Sequence, residues 1–249
     1  MSKVPLTNDE CSNKNKKIIN NIDKNKIKNS HFNLLPQEEK GREVFLRKYC
    51  LIGGPNVGKT SIIQKFIYKQ NPDFNNSVNE EVHFKSFIYD NQIYDCKFGD
   101  TKGYVPNKIY STNYPYLCDG YFLIYSIDNR QSFELISKLY DKILKKFENK
   151  NVPIIVVGNK NDLDNTSRVV TRKEGAMMAK QLNNSPFLEC NIFNEHLIDT
   201  IFEVMIYHDN KIRSLNTIGM KKFDEYCVND YYQILTFYNL IEKKSFKKK

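Results

Sequence analysis

The chain has 249 residues, 40% apolar and 27% charged. That is enough for one ordinary domain with extensions and for a packed core, and it excludes a wholly disordered, collagen-like or disulfide-scaffold protein. The formal charge of +9 divides into +3 over residues 1–43, +4 over 208–249 and only +2 over 44–207. The basic excess therefore sits in the extensions, and no nucleic-acid partner is expected.

The first 33 residues hold eight Asn and seven Lys without a sustained apolar period. They read as a disordered extension, ending at residue 43, because they cannot bury enough surface to offset chain entropy. They also lack the apolar run of a secretory signal, and no stretch of the chain reaches bilayer length. Val44–Ile52 predicts a first strand and Ser61–Lys69 the helix after it. His83–Tyr89 and Ile93–Phe98 predict two strands joined by a tight turn at Asp90-Asn91-Gln92. Pro106 and Pro115 bracket an irregular stretch or short helix. Tyr121–Ile127 and Pro153–Val157 are nearly continuous apolar runs, as expected of strands buried on both faces. Phe133–Phe147, Arg172–Leu182 and Glu195–Tyr207 carry helical periodicity. This alternation predicts an α/β fold around a mostly parallel sheet over residues 44–207. In the C-terminal extension, 208–249, Phe223, Tyr226, Cys227, Tyr231, Ile234, Leu235, Tyr238 and Ile241 recur at helical spacing. Five lysines in the last seven residues follow. Such a stripe suits a helix docked on the core, or an anionic membrane surface. Six scattered cysteines without a CxxC pair read as reduced, buried thiols, and the expected location is cytoplasmic.

Three motifs converge on a nucleotide. Gly53-Gly54-Pro55-Asn56-Val57-Gly58-Lys59-Thr60 fits GxxxxGK[ST] between a strand and a helix. Its glycines let the backbone turn successive N–H groups towards phosphate oxygens, and the helix from Lys59 adds its positive dipole end. Lys59 would reach the β- and γ-phosphates, and the Thr60 hydroxyl would ligate Mg²⁺. Asn159-Lys160-Asn161-Asp162 follows another strand. An acceptor-only carboxylate at Asp162 pairs with the N1–H and exocyclic amine of guanine, which adenine does not offer together. The Lys160 stem would lie along the base, and Asn159 would tie this loop to the phosphate loop. Between them, Asp100-Thr101-Lys102-Gly103 places Asp100 to hold Mg²⁺ through water and the Gly103 N–H to sense the γ-phosphate.

These residues, in this order, resemble the Ras-like small GTPases, nearest the Ras/Rap/Rheb branch. Tyr121–Phe133 and Arg168-Val169-Val170 leading to Lys173–Ala176 are similar too. The resemblance implies a P-loop G domain with a six-stranded sheet and five helices. It also implies GTP and GDP binding with Mg²⁺, hydrolysis of GTP, and effector, exchange-factor and GTPase-activating partners in signalling or vesicle traffic. It adds Ser77 as a switch hydroxyl for Mg²⁺ and the γ-phosphate, Ser61 beside the phosphates, and Asn191 and Ile192 beside the base. The implied catalytic set is Lys59, Ser77, Gly103 and Tyr104.

Several positions depart from the pattern. Tyr104 stands where most of the family has the Gln that positions the attacking water, so hydrolysis is expected to be slow. Pro55 replaces a Gly, and Asn191-Ile192-Phe193 replaces Ser-Ala-Lys. No prenylation or myristoylation motif is found, leaving the basic tail as the means of peripheral membrane contact. The alternatives are a GTP-locked or nucleotide-insensitive scaffold and, more remotely, a P-loop kinase or ATPase, which leaves Asn159–Asp162 unexplained.

Overall fold

Strand β1 (Val44–Gly53) begins with alternating exposure and becomes fully buried from Tyr49 onward. The switch marks where the second face of the sheet gains cover. The computed structural model describes residues 43–70, 81–104, 118–148, 151–164 and 166–218. Helix α1 is Lys59–Tyr68, β2 is Glu81–Tyr89, β3 is Gln92–Asp100 and β4 is Gly120–Ser126. They are followed by α2 (Arg130–Lys146), β5 (Ile154–Asn159), α3 (Arg172–Gln181), β6 (Phe187–Glu189) and α4 (Glu195–Ile218). The sheet has six strands in the order β2-β3-β1-β4-β5-β6. Among the described strands only β2–β3 is an antiparallel pair. Its turn places Asp90 and Asn91 at φ +48 and +59, the residue types and handedness a two-residue hairpin favours.

Period-two alternation sends Tyr49, Leu51 and Phe98 to one core and Cys50, Ile52 and Tyr121 to the other. The first core lies under α1 and α4, where Phe66 and Phe202 stack with ring centroids 3.6 Å apart. The second lies under α2, whose Phe133, Ile136, Leu139 and Ile143 are buried. Helix starts are chemically marked. Asn129 caps α2 by accepting from the Ser132 N–H at 3.0 Å, and Thr171 forms a reciprocal capping box with Glu174 on α3.

The predicted architecture is present, with one adjustment. Four helices, not five, occur among the described residues. Ser77, the Pro106–Pro115 stretch, the N-terminal extension and the 223–241 stripe all lie outside them. The last helix runs on past Tyr207 to Ile218 because Asp209 carries its own set of partners. That buried carboxylate accepts from Arg47 Nε (2.8 Å), the Tyr49 hydroxyl (2.8 Å) and Arg213 Nε (2.6 Å). Because β1, β3, β4, β5 and β6 run parallel, their carboxyl ends share one edge, where open α/β sheets bind ligands.

Candidate functional site: a phosphate loop joined to a base loop

Residues 53–60 leave the carboxyl end of β1 and turn into α1. The turn needs left-handed backbone at Asn56 (φ +58) and Gly58 (φ +93). A Cβ on Gly58 would stand 2.2 Å from Asn159 Nδ2, so the position demands Gly for both its dihedral and its space. Pro55 and Asn56 are exposed at the loop's crest, Val57 is buried beneath it, and Gly58, Thr60 and Ser61 are half-buried. Lys59 opens α1 with its ammonium donating to the Gly54 carbonyl at 2.8 Å. Burial brings that ammonium down to about 8, against the opposing pull of Asp100 and Cys50.

Asp100 ends β3 directly beside this loop. Thr60 Oγ1 donates to Asp100 Oδ2 at 2.5 Å, whereas the buried Oδ1 has no hydrogen-bond partner. Burial lifts the Asp100 carboxyl above the usual carboxylate range, against the Thr60 hydrogen bond and the Lys59 charge. A hard, oxygen-seeking cation fits this pair, because it would satisfy the orphaned oxygen and favour the ionised carboxylate. Thr101 Oγ1 donates to the Leu51 carbonyl at 2.7 Å, anchoring the segment to β1. Gly103 then passes so close to the phosphate loop that a Cβ would lie 2.2 Å from Pro55 Cα. The Tyr104 N–H donates to the Gly53 carbonyl at 2.8 Å. The Tyr104 ring packs towards α2, its hydroxyl hydrogen-bonded by Lys142, whose ammonium lies 4.3 Å from the ring centroid.

The second loop follows β5. Buried Asn159 donates from Nδ2 to the Val57 carbonyl at 2.8 Å, a bond between residues 102 positions apart. Lys160 adopts φ +68, and its ammonium meets Asp128 Oδ2 at 3.3 Å. Asp162 is exposed on the following turn. Asn191, after β6, spans two neighbours. Its Nδ2 donates to Asn161 Oδ1 at 2.6 Å, and its Oδ1 accepts from the N–H groups of Phe193 and Asn194 at 3.0 and 2.9 Å. Ile192 is half-buried in that turn, and Phe193 is 69% exposed beside it.

The fold thus gathers Gly53–Ser61, Asp100, Gly103, Tyr104, Asn159–Asp162 and Asn191–Ile192 along one edge; Ser77 lies outside the described residues. The motifs alone assign no role to Asp128, Asn161 or Cys190. Asp128 holds Lys160, and Asn161 receives Asn191. Cys190 donates from Sγ to Asn159 Oδ1 at 3.5 Å. Asp128 belongs to the Tyr121–Phe133 run, just past β4, but a lone Asp in a turn carries no partner information. No group of three or more His, Cys, Asp or Glu suited to a metal occurs among the described residues. Nor is any helix among them long and apolar enough to cross a membrane.

The sequence is similar to those of known GTP-binding and Ras-like proteins. The chain is 30% identical over 168 residues to GTP-binding protein Rheb homolog 1 of Caenorhabditis elegans, covering 68% of this chain and 80% of that protein. It is 31% identical over 166 residues to mouse GTP-binding protein Rheb, covering 67% and 89%. It is also 31% identical over 198 residues to Ras-like protein rasU of Dictyostelium discoideum, covering 75% and 91%. Residues 48–213 match the Ras family, two-thirds of the sequence and both motif loops, and the chain belongs to that family of small GTPases.

Proposed function

We propose that the protein is a GTP-binding switch that hydrolyses GTP to GDP slowly. The observation that carries this reading is the Asn159–Val57 bond, which holds a guanine-reading loop against a phosphate-binding loop. Amides from Asn56 onward and the α1 N-terminus cradle the phosphates, while Lys59 leaves the Gly54 carbonyl for the β- and γ-phosphates. Thr60, Asp100 and, from the resemblance, Ser77 would hold Mg²⁺. When bound, the ion offsets charge developing on the phosphoryl oxygens. Gly103 presents its N–H to the γ-phosphate, and Asp162 accepts from the guanine edge while Lys160 lies along the ring.

Slow turnover follows from Tyr104. Phosphoryl transfer depends on positioning, and a phenol engaged by Lys142 supplies no amide to orient water. The same observation favours a second reading, a GTP-locked scaffold. In either case effector proteins, an exchange factor and a GTPase-activating protein are the expected partners, and the lysines at 243–249 suit an anionic membrane.

Retained-nucleotide analysis followed by single-turnover phosphate release decides between these readings. GTP hydrolysis that is slow, and that Tyr104→Gln speeds by roughly tenfold (about 1.4 kcal/mol of barrier), supports the switch. Bound GTP with no release in either protein supports the scaffold. Equal affinity for ATP and GTP, or for neither, overturns the assignment.

A further inference from the structure

A flat purine has an edge and two faces. In the proposed complex Asp162 meets the edge, and the stem of Lys160, whose ammonium is tied to Asp128 at 3.3 Å, lies along one face. The other face stays in water unless a second apolar surface meets it.

Phe193 offers such a surface from the neighbouring loop. The turn after β6 is bonded to the base loop twice: the Asn161 N–H donates to the Cys190 carbonyl at 3.0 Å, and Asn191 Nδ2 donates to Asn161 Oδ1 at 2.6 Å. Asn191 Oδ1 in turn accepts from the Phe193 and Asn194 N–H groups at 3.0 and 2.9 Å, fixing the backbone that carries the ring. Asn194 then caps α4 by accepting from the Leu197 N–H at 3.2 Å. An apolar residue directly before such a cap commonly packs on the fourth residue of the helix, here Ile198. Ile198 is fully buried, yet Phe193 keeps 69% of its surface exposed. Packing on α4 therefore leaves most of the ring uncommitted, on a turn locked to the loop that reads the base.

We propose that Phe193 stacks on the guanine of the bound nucleotide, a role that rests on the proposed function and gives the base its second wall. Stacking uses the π face that every base presents, so Phe193 adds affinity while Asp162 supplies selectivity. GDP and GTP gain alike, because both carry the same base.

The chain has no tryptophan, so Phe193→Trp in the full-length protein places a single indole at this position. GDP with Mg²⁺ is expected to quench its emission with a midpoint matching the calorimetric Kd, and release by EDTA to restore it. Tripolyphosphate, which lacks a base, leaves the emission unchanged. Phe193→Ala should lower GDP and GTP affinity by the same factor, roughly tenfold or about 1.4 kcal/mol, at the urea midpoint of the parent, and Phe193→Tyr should keep the parent affinity. Calorimetric binding of GDP to Phe193→Trp without a change in emission overturns the stacking role and leaves the GTP-binding assignment standing, as does parent-like affinity in Phe193→Ala. Quenching by tripolyphosphate equal to that by GDP also overturns it, since the indole then reports the phosphate loop. A parent protein that binds neither GDP nor GTP removes the proposed function and this contact together.

Discussion

Gly103 and Asp162 show how single positions divide stability from recognition. A methyl group on Gly103 would meet backbone, Pro55 Cα at 2.2 Å, so neither segment can yield by a rotamer change. Gly103→Ala is expected to cost about 1–3 kcal/mol, read as a lower denaturation midpoint in urea, and to weaken triphosphate more than diphosphate binding. Asp162 is exposed, so Asp162→Ala leaves the urea midpoint within about 0.5 kcal/mol of the parent. Titration calorimetry should show GTP affinity falling by roughly a hundredfold, about 2.7 kcal/mol, with ATP unaffected. Motif spacing alone places both residues at the strand ends where the fold sets them. Asp128 was not legible in the sequence, since its role depends on Lys160 arriving from a strand 32 positions away. Asn191 stands where the family has Ser, and only the folded turn shows its amide joining the β6 loop to Asn161.

Helix α4 carries the element-scale lesson. Apolar periodicity alone predicts its end near Tyr207, because the next positions, His208 and Asp209, read as polar. Both are buried, and the helix continues over them. Asp209→Ala leaves Arg47 and the Tyr49 hydroxyl without their acceptor and is expected to cost about 3–5 kcal/mol, measurable as a lower urea midpoint. His208 is held neutral, its imidazole brought down to about 3, first by burial and then by the charge of Lys211. The unfolded chain takes up a proton near the ordinary histidine value of 6.5 and the folded chain does not. Stability therefore falls as pH drops from about 6.5 to about 3, by at most roughly 1.4 kcal/mol per pH unit from this group. His208→Leu should flatten that limb of the stability profile, as followed by urea melts at several pH values.

At the scale of the molecule, the sheet was readable because five of its six strands run to one edge. Tyr121–Ile127 and Pro153–Val157 are apolar without alternation, the pattern of strands covered on both sides, and both are central. The three-residue β6 was too short for any pattern, and only the family resemblance required it. A ligand held by loops from β1, β3, β5 and β6 binds only the assembled sheet. Saturation with GTP and Mg²⁺ at about 100 times Kd should therefore add roughly 2.7 kcal/mol to unfolding, read as a higher Tm. Chelating the metal with EDTA should reverse part of that gain.

The Asn159 side chain meets the Val57 carbonyl and closes over Gly58, so neither loop can settle without the other. Guanosine and tripolyphosphate, offered as two separate molecules, should accordingly assist one another, each raising its companion's affinity by the same factor. Asn159→Ala would cut that conversation, leaving two fragments that bind as strangers on a protein that still recognises each.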